Sequence, residues 1–162
     1  MNDNPVGTNV VIEVGSVIRE TRNSLITVGE IKKRAKGDCR ELLKEIKENS
    51  RYLWLALDGH ISLAEAIAEL SSEVYDRLSS EGLDFNLVQK RKISKKYKLK
   101  GTALEYWQGK NTEALVVNIY DKISDIKHVL PLAENSTKIR LRVRAINIQK
   151  RIVLLLRHIR DG

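Results

Sequence analysis

The sequence lacks the features that stabilise many small proteins covalently, through metal ions or in a membrane. Its one cysteine, Cys39, excludes a disulfide framework and a zinc site built on several cysteines. No apolar run approaches the roughly 18 residues that a membrane span requires. The first residues, Met1 to Asn4, carry none of the basic side chains that open a secretory signal peptide. These absences predict a soluble, cytoplasmic protein without a metal ion or other cofactor.

The chain also lacks an internal repeat, a low-complexity tract and a linker rich in proline or serine. It contains two prolines among 162 residues, and 42% of its residues are hydrophobic. A chain of this length can bury about two thirds of the surface that it exposes when unfolded. We therefore expect one domain over residues 1–162. Helical spacing that continues almost to Gly162 leaves open whether this domain is complete or cut from a longer protein.

Helix starts are marked by a polar residue that is followed three positions later by glutamate. In this capping box, the two side chains satisfy backbone N–H groups in the first turn of a helix. The boxes begin at Asp38, Ser62 and Thr102, and each lies shortly after a glycine, which is suited to ending the previous segment. The sequence therefore predicts three helix starts at these positions.

Apolar residues recur at spacings of three and four through most of the chain. The pattern predicts helices over residues 38–57 and 62–80, and another that begins after Asn111 and is stopped by Pro131. Residues 8–36 share the helical spacing, although their β-branched residues leave a strand as the alternative near the start. With a helix at the C-terminus, these segments predict an all-α fold, a compact bundle of five to six helices.

The last segment, residues 136–160, has two competing patterns. Residues 138–144 alternate between basic and apolar as in a strand, but apolar spacings of three and four cover the whole segment and favour a helix. On a helical wheel, a second apolar arc that includes Ile146, Val153 and Leu154 lies opposite the first. A helix with two apolar sides packs between neighbours, so we expect this one at the centre of the bundle.

Acidic residues are missing from two segments that hold half of the basic residues. Residues 90–100 contain seven basic residues and residues 138–160 contain eight, with no aspartate or glutamate in either. The whole chain has 29 basic and 21 acidic residues, a net charge of +8, so the remainder has 14 basic and 21 acidic residues, a net −7. The excess positive charge is therefore confined to two elements of a mildly acidic scaffold.

Residues 90–100 lie between two predicted helix segments, and their charge density predicts an exposed connector. Its cations would neutralise the phosphates of nucleic acid, with Tyr97 placed to stack on a base, or would bind an anionic lipid surface. A connector that only keeps the protein soluble is the alternative. The candidate binding residues in this segment are Lys90, Arg91, Lys92, Lys95, Lys96, Lys98 and Lys100.

Arg140, Arg144 and Arg151 share one polar ridge of the predicted C-terminal helix. Arginines beside a central apolar stripe are either paired with acidic residues of neighbouring helices or exposed along a groove. The acidic residues of the predicted helices over 38–57 and 62–80 favour pairing. Exposure would instead add the ridge to the surface that binds an anionic partner. Tyr106 and Trp107 closely follow the basic connector and are candidate contacts, or else residues at the edge of the core.

Few residues indicate catalysis. The sequence has no glycine-rich phosphate loop, no serine nucleophile elbow and no helical histidine pair at metal spacing. Six residues separate Arg151 from His158, and this spacing resembles the HEPN superfamily, the helical RNases of prokaryotic toxin and defence systems. The resemblance implies charge stabilisation by Arg151 and acid–base transfer by His158 at a scissile phosphate. Ile152 departs from the polar residue that commonly follows the arginine.

The leading functional interpretation is a non-enzymatic binding module. Its basic connector and arginine-rich helix would engage an anionic partner, with nucleic acid slightly preferred. A second interpretation is a helical bundle that acts on anionic membranes in a cell-death pathway, with residues 6–28 as the inserting element. A third is a protein–protein adaptor, and the least favoured is an RNase that uses Arg151 and His158.

Overall fold

The computed structural model describes residues 37–133 and 139–162. Regular structure in these residues is helical, with no strand, which confirms the predicted all-α class. None of the described helices has the length and apolar character needed to cross a membrane. The predicted segments at 8–36 and 6–28 lie outside the described residues. The elements in chain order are α1 (Gly37–Leu57), α2 (Leu63–Glu69), α3 (Glu73–Ser80), 3-10 turns at Phe85–Leu87 and Glu105–Trp107, α4 (Thr112–Ala133) and α5 (Leu141–Arg160).

Helix α5 is buried on two sides over most of its length. It packs most extensively against α4 and α1. Ala145 and Ile152 from one apolar arc, and Val153 and Leu154 from the other, are all buried. Val143 is exposed, so the two-sided burial begins after the first turn. This burial agrees with the two apolar arcs of the sequence.

The predicted continuous helix over 62–80 is wrong, because the chain forms two helices with a break between Glu69 and Glu73. The break is held by Asn49 of α1. Its side chain accepts a hydrogen bond from the Ser71 N–H at 2.8 Å and donates one to the Ser71 carbonyl at 2.7 Å. Asn49 therefore occupies the Ser71 N–H. In a continuous helix the Tyr75 N–H would donate to the Ser71 carbonyl, but here it donates to Glu45 instead. The apolar spacing continues across the break because Leu70 still enters the core.

The predicted helix starts at Ser62 and Thr102 have different outcomes. The capping box at Ser62 is confirmed: its hydroxyl accepts from the Glu65 N–H at 3.1 Å, and Glu65 accepts from the Ser62 N–H at 2.8 Å. The prediction of a helix start at Thr102 is wrong. Its hydroxyl accepts from the Leu104 N–H, and Glu105 accepts from a backbone N–H four residues earlier. These contacts close a tight turn, and one 3-10 turn follows instead of an α-helix.

Two other helix boundaries differ from the sequence interpretation. Helix α4 continues through Pro131 to Ala133, so the prediction that Pro131 stops it is wrong. A proline in the last turn removes one backbone donor, and the helix ends two residues later. Helix α5 begins at Leu141 rather than at 136, since residues 139 and 140 are not helical. Residues 134–138 lie outside the described residues.

Glu45 of α1 is a carboxylate in the core, 4% exposed. Its Oε2 accepts hydrogen bonds from the Val74 N–H at 2.8 Å and the Ser71 hydroxyl at 2.9 Å. Its Oε1 accepts from the Tyr120 hydroxyl at 2.7 Å and the Tyr75 N–H at 3.2 Å. Two of these donors belong to the first turn of α3, whose N–H groups have no partner within the helix and where the helix dipole favours negative charge. Four donors thus replace water around the buried carboxylate.

We expect Glu45→Ala to lower the free energy of unfolding by about 3 kcal/mol or more, because it leaves buried donors unsatisfied at the start of α3 and on Tyr120. Tyr120→Phe removes a single donor to the charged carboxylate and should cost about 1.5 to 3 kcal/mol. Urea denaturation followed by circular dichroism measures both changes.

Glu48→Ala is the matched control, because Glu48 lies on the same helix and is exposed. Its unfolding free energy should stay within about 0.5 kcal/mol of the parent protein. Equal effects of Glu45→Ala and Glu48→Ala would contradict the role assigned to the buried carboxylate.

Candidate functional site

The segment between α3 and α4 is a folded loop that lies against the C-terminal end of α5. Two backbone hydrogen bonds join its two halves, from the Ile93 N–H to the Lys110 carbonyl and from the Gly109 N–H to the Ile93 carbonyl, each 2.9 Å. Ile93 itself is buried in the core. The start of the loop is tied to α4, where the Asn86 side chain accepts from the Glu113 N–H at 3.1 Å. These contacts close the loop on itself and attach it to α4.

Between residues 90 and 100, the basic side chains of this loop face solvent and the apolar side chains face the protein. Ile93 and Tyr97 are buried, and Leu99 is half-buried. Burial of these three side chains fixes the backbone, and the charged residues between them are left on the outside because an unpaired buried charge is costly. The exposed basic residues are Lys90, Arg91, Lys92, Lys95, Lys96, Lys98 and Lys100.

Tyr97 does not present its ring to a partner, contrary to the expectation that it stacks on a base. It is 7% exposed, and the Arg157 guanidinium lies 4.7 Å from its ring centroid. Its hydroxyl is 3.5 Å from the Arg157 carbonyl, at the limit of hydrogen bonding. Burial, reinforced by the charge of Asp161, raises the pKa of Tyr97 to about 12. Tyr97 therefore anchors the basic loop to α5.

A basic cavity of about 500 Å³ lies where this loop meets the end of α5. The helix contributes Arg157, whose Nε is 3.7 Å from a carboxylate oxygen of Asp161. Arg160 also pairs with Asp161 at 2.8 Å, and this hydrogen bond lowers the pKa of the Asp161 carboxyl. The cavity therefore combines several cations with one carboxylate. Its lining residues are Arg91, Lys92, Ser94, Lys96, Tyr97, Arg157, His158, Asp161 and Gly162.

His158 lies at the inner side of the basic cavity and is 3% exposed. Its Nε2 is 3.1 Å from the Thr112 hydroxyl oxygen, which in turn donates to the Gln89 carbonyl. Burial lowers the pKa of the imidazole, against smaller opposing effects from the Arg91 carbonyl and the Asp161 charge. A neutral His158 at pH 7 thus links α5 to the basic loop and to the first residue of α4.

Arg151 lines a different cavity, an open groove of about 640 Å³ between α4, α5 and the loop. Its Nε donates to the Asn118 side-chain oxygen at 2.9 Å, and its terminal nitrogen donates to the Asn147 carbonyl at 2.8 Å. Burial lowers the pKa of this guanidinium. The groove residues are Ala103, Tyr106, Trp107, Lys110, Ala114, Val117, Asn118, Asp121, Lys122 and Arg151.

The arginine ridge is not paired with the acidic helices, contrary to the favoured expectation. Within residues 37–133 and 139–162, neither Arg140, Arg144 nor Arg151 forms an ion pair with an acidic side chain of α1, α2 or α3. Arg140 and Arg144 are exposed near the start of α5. The helical rise from Arg144 to Arg157 is about 20 Å. Arg140 and Arg144 therefore lie at the opposite end of α5 from the basic cavity.

Arg151 and His158 do not meet in one site. Although they share one ridge of α5, Arg151 lines the groove and His158 lines the basic cavity. His158 is also engaged with Thr112 and almost inaccessible to solvent. The two residues thus line different cavities, whereas the HEPN resemblance implies one site for both.

The two candidate aromatic contacts differ in exposure. Trp107 is 5% exposed and belongs to the core, whereas Tyr106 is 68% exposed. Their rings meet edge to face, with centroids 5.4 Å apart. The Lys110 ammonium lies 4.6 Å from the Tyr106 centroid. Of this aromatic pair, Tyr106 alone is accessible to a partner.

Sequence reasoning missed Lys110 and the particular role of Arg157. Lys110 lies outside the acid-free run of residues 90–100, and no local pattern distinguishes it from a surface lysine. Arg157 meets Tyr97 across 60 residues of chain, a separation that neither helical spacing nor charge patterning can relate. In the part of the chain that the structure describes, no group of three or more His, Cys, Asp or Glu is arranged to hold a metal ion.

We expect the stability of the protein to fall as the pH drops below about 6.5, partly through His158. The unfolded imidazole titrates near 6.5 and the folded one at a lower pH, so protonation favours the unfolded state. One such group contributes at most about 1.4 kcal/mol per pH unit. His158→Gln should therefore show a smaller difference in unfolding free energy between pH 7.5 and 5.5, measured by urea denaturation.

His128→Gln is the control for this measurement, since His128 is exposed on α4. It should leave the pH dependence of the parent protein unchanged. The assignment would be wrong if His158→Gln lost as much stability on acidification as the parent protein.

Comparison with known proteins gives no relative for this chain. No protein-family model matches the sequence, and no curated protein and no solved structure matches it. The chemistry of the site therefore rests on the charge, burial and contacts of its own residues.

Proposed function

We propose that this protein is a non-enzymatic module that binds nucleic acid through the basic loop, residues 90–100, and the adjoining basic cavity. The proposal includes a cytoplasmic location and a single domain of five to six helices with α5 at its centre. The observation that carries it is the row of seven exposed basic side chains without an intervening acid, on a loop fixed to the bundle. Such a row can neutralise successive phosphates and release their counterions.

The basic cavity supports the same function. Arg91, Lys92 and Lys96 from the loop converge with Arg157 from α5 around one concave site. Guanidinium groups bind phosphate oxygens through paired hydrogen bonds, and lysines add positive charge. A phosphate in this cavity would lie beside the exposed lysines of the loop, so one strand could contact both.

Nucleic acid is favoured over a lipid surface by the side chains between the cations. Peripheral membrane binding uses apolar residues that insert at the boundary between headgroups and acyl chains. In the basic loop, Ile93 and Tyr97 are buried against the protein and Leu99 is half-buried. The exposed part of the loop is therefore polar, which suits a phosphate backbone better than insertion into lipid.

The proposed contact surface is smaller than the sequence alone indicates. Arg140 and Arg144 lie at the far end of α5 and would be reached only by a partner that extends along the helix. Arg151 would act through the groove that contains Tyr106 and Lys110. The loop and the basic cavity together form the centre of the proposed surface.

We expect Lys95→Glu combined with Lys96→Glu to weaken RNA binding at least about tenfold at low salt. Loss of two phosphate contacts should also reduce the slope of log affinity against log salt by about 0.7 to 0.9 for each contact. Fluorescence anisotropy with single-stranded RNA and duplex DNA, between about 50 and 200 mM salt, measures both quantities.

Lys44→Glu combined with Arg51→Glu is the charge-matched control, because both residues are exposed on α1. It should weaken binding much less than the change in the loop. Equal losses in the two double variants would indicate attraction by net charge alone, and the site would be rejected. Leakage of anionic vesicles without binding of nucleic acid would favour the membrane effector, and cleavage of the RNA would contradict a non-enzymatic role.

A further inference from the structure

Tyr106 is an aromatic side chain that the core does not use. It is 68% exposed, although Trp107, the next residue on the same 3-10 turn, is buried. The turn is fixed by the buried indole, so the phenol ring is held at the surface on a rigid support. An exposed aromatic on such a support is a typical element of a binding surface.

The groove beside this ring is lined by cations. The Lys110 ammonium lies 4.6 Å from the Tyr106 centroid. The Arg151 guanidinium is fixed by Asn118 and by the Asn147 carbonyl, at 2.9 and 2.8 Å. Two further charged residues, Lys122 and Asp121, line the same groove and offset each other. The groove therefore combines an accessible aromatic ring with a net positive charge.

The groove is joined to the basic loop by main-chain contacts. The Lys110 carbonyl accepts the Ile93 N–H, and the Gly109 N–H donates to the Ile93 carbonyl. The side chain of Gln108 donates to the Tyr97 carbonyl at 2.7 Å. Through these contacts the turn that carries Tyr106 and the loop that carries the lysines form one unit, so a strand bound to one can continue to the other.

We infer that this groove binds an unpaired base of single-stranded nucleic acid. The Lys110 ammonium lies over one face of the Tyr106 ring, so the base would stack on the opposite face, with its flanking phosphates beside Lys110 and Arg151. The inference rests on the proposed function and adds the class of nucleic acid. Bases in a duplex are covered by their neighbours, whereas an unpaired base has a free face for an aromatic ring. The site therefore selects single strands over duplexes.

Tyr106→Ala tests the stacking contact. It should weaken binding of single-stranded RNA about tenfold and leave binding of duplex DNA unchanged. The salt slope should also stay unchanged, because the substitution removes no charge. Tyr106→Phe should bind single strands nearly as the parent protein does, while Tyr106→Leu, which keeps the apolar bulk without the ring, should behave as Tyr106→Ala.

The outcomes separate this inference from the proposed function. If Lys95→Glu with Lys96→Glu weakens binding but Tyr106→Ala does not, the basic loop remains the nucleic-acid site and the stacking site is rejected. If Tyr106→Ala weakens single-strand and duplex binding equally while its urea denaturation matches the parent protein, selection of single strands is overturned. If the parent protein binds neither nucleic acid, both proposals fail.

Discussion

The carboxylate of Glu45 is the polar contact on which the arrangement of α1, α3 and α4 depends. A buried charge is tolerated only where hydrogen-bond donors replace its water, and here they come from the start of α3 and from Tyr120 of α4. The Tyr120 ring stacks on Tyr75 at 4.1 Å, and Tyr75 stacks on Phe85 at 5.3 Å. This aromatic row leads from the carboxylate to Phe85, which opens the first 3-10 turn of the segment between α3 and α4. The core therefore fixes the chain shortly before the basic loop begins.

Among the described residues, no acidic side chain forms an ion pair with the basic loop. Its order comes from two buried side chains, Ile93 and Tyr97, and from backbone hydrogen bonds that close it on itself. Arg157 covers the Tyr97 ring and joins the loop to α5. The apolar side chains are thus buried against the protein, and the lysines between them remain exposed to solvent.

The basic side chains at the start of α5 and along it lie in different environments. Arg140 and Arg144 are exposed near its start, Arg151 is held by asparagines in the groove, and Arg157 packs on an aromatic ring. A helical wheel shows in which direction each side chain points around the helix axis, but it does not show how far apart two residues lie along that axis. At about 1.5 Å per residue, residues on one ridge face different neighbours, and the Arg151–His158 pair is divided between two cavities for this reason.

Local sequence patterns predict the features that depend on neighbouring residues: the all-α class, the capping box at Ser62, the extent of α1 and the two apolar faces of α5. Helical spacing and capping are local, so they can be read from a short stretch of chain. The break before α3, the burial of Tyr97 and the exposure of Tyr106 were decided only by the tertiary structure. The first two depend on contacts with distant segments, from Asn49 to Ser71 and from Arg157 to Tyr97. The exposure of Tyr106 likewise could not be read from local sequence, because burial is a property of what packs against a residue.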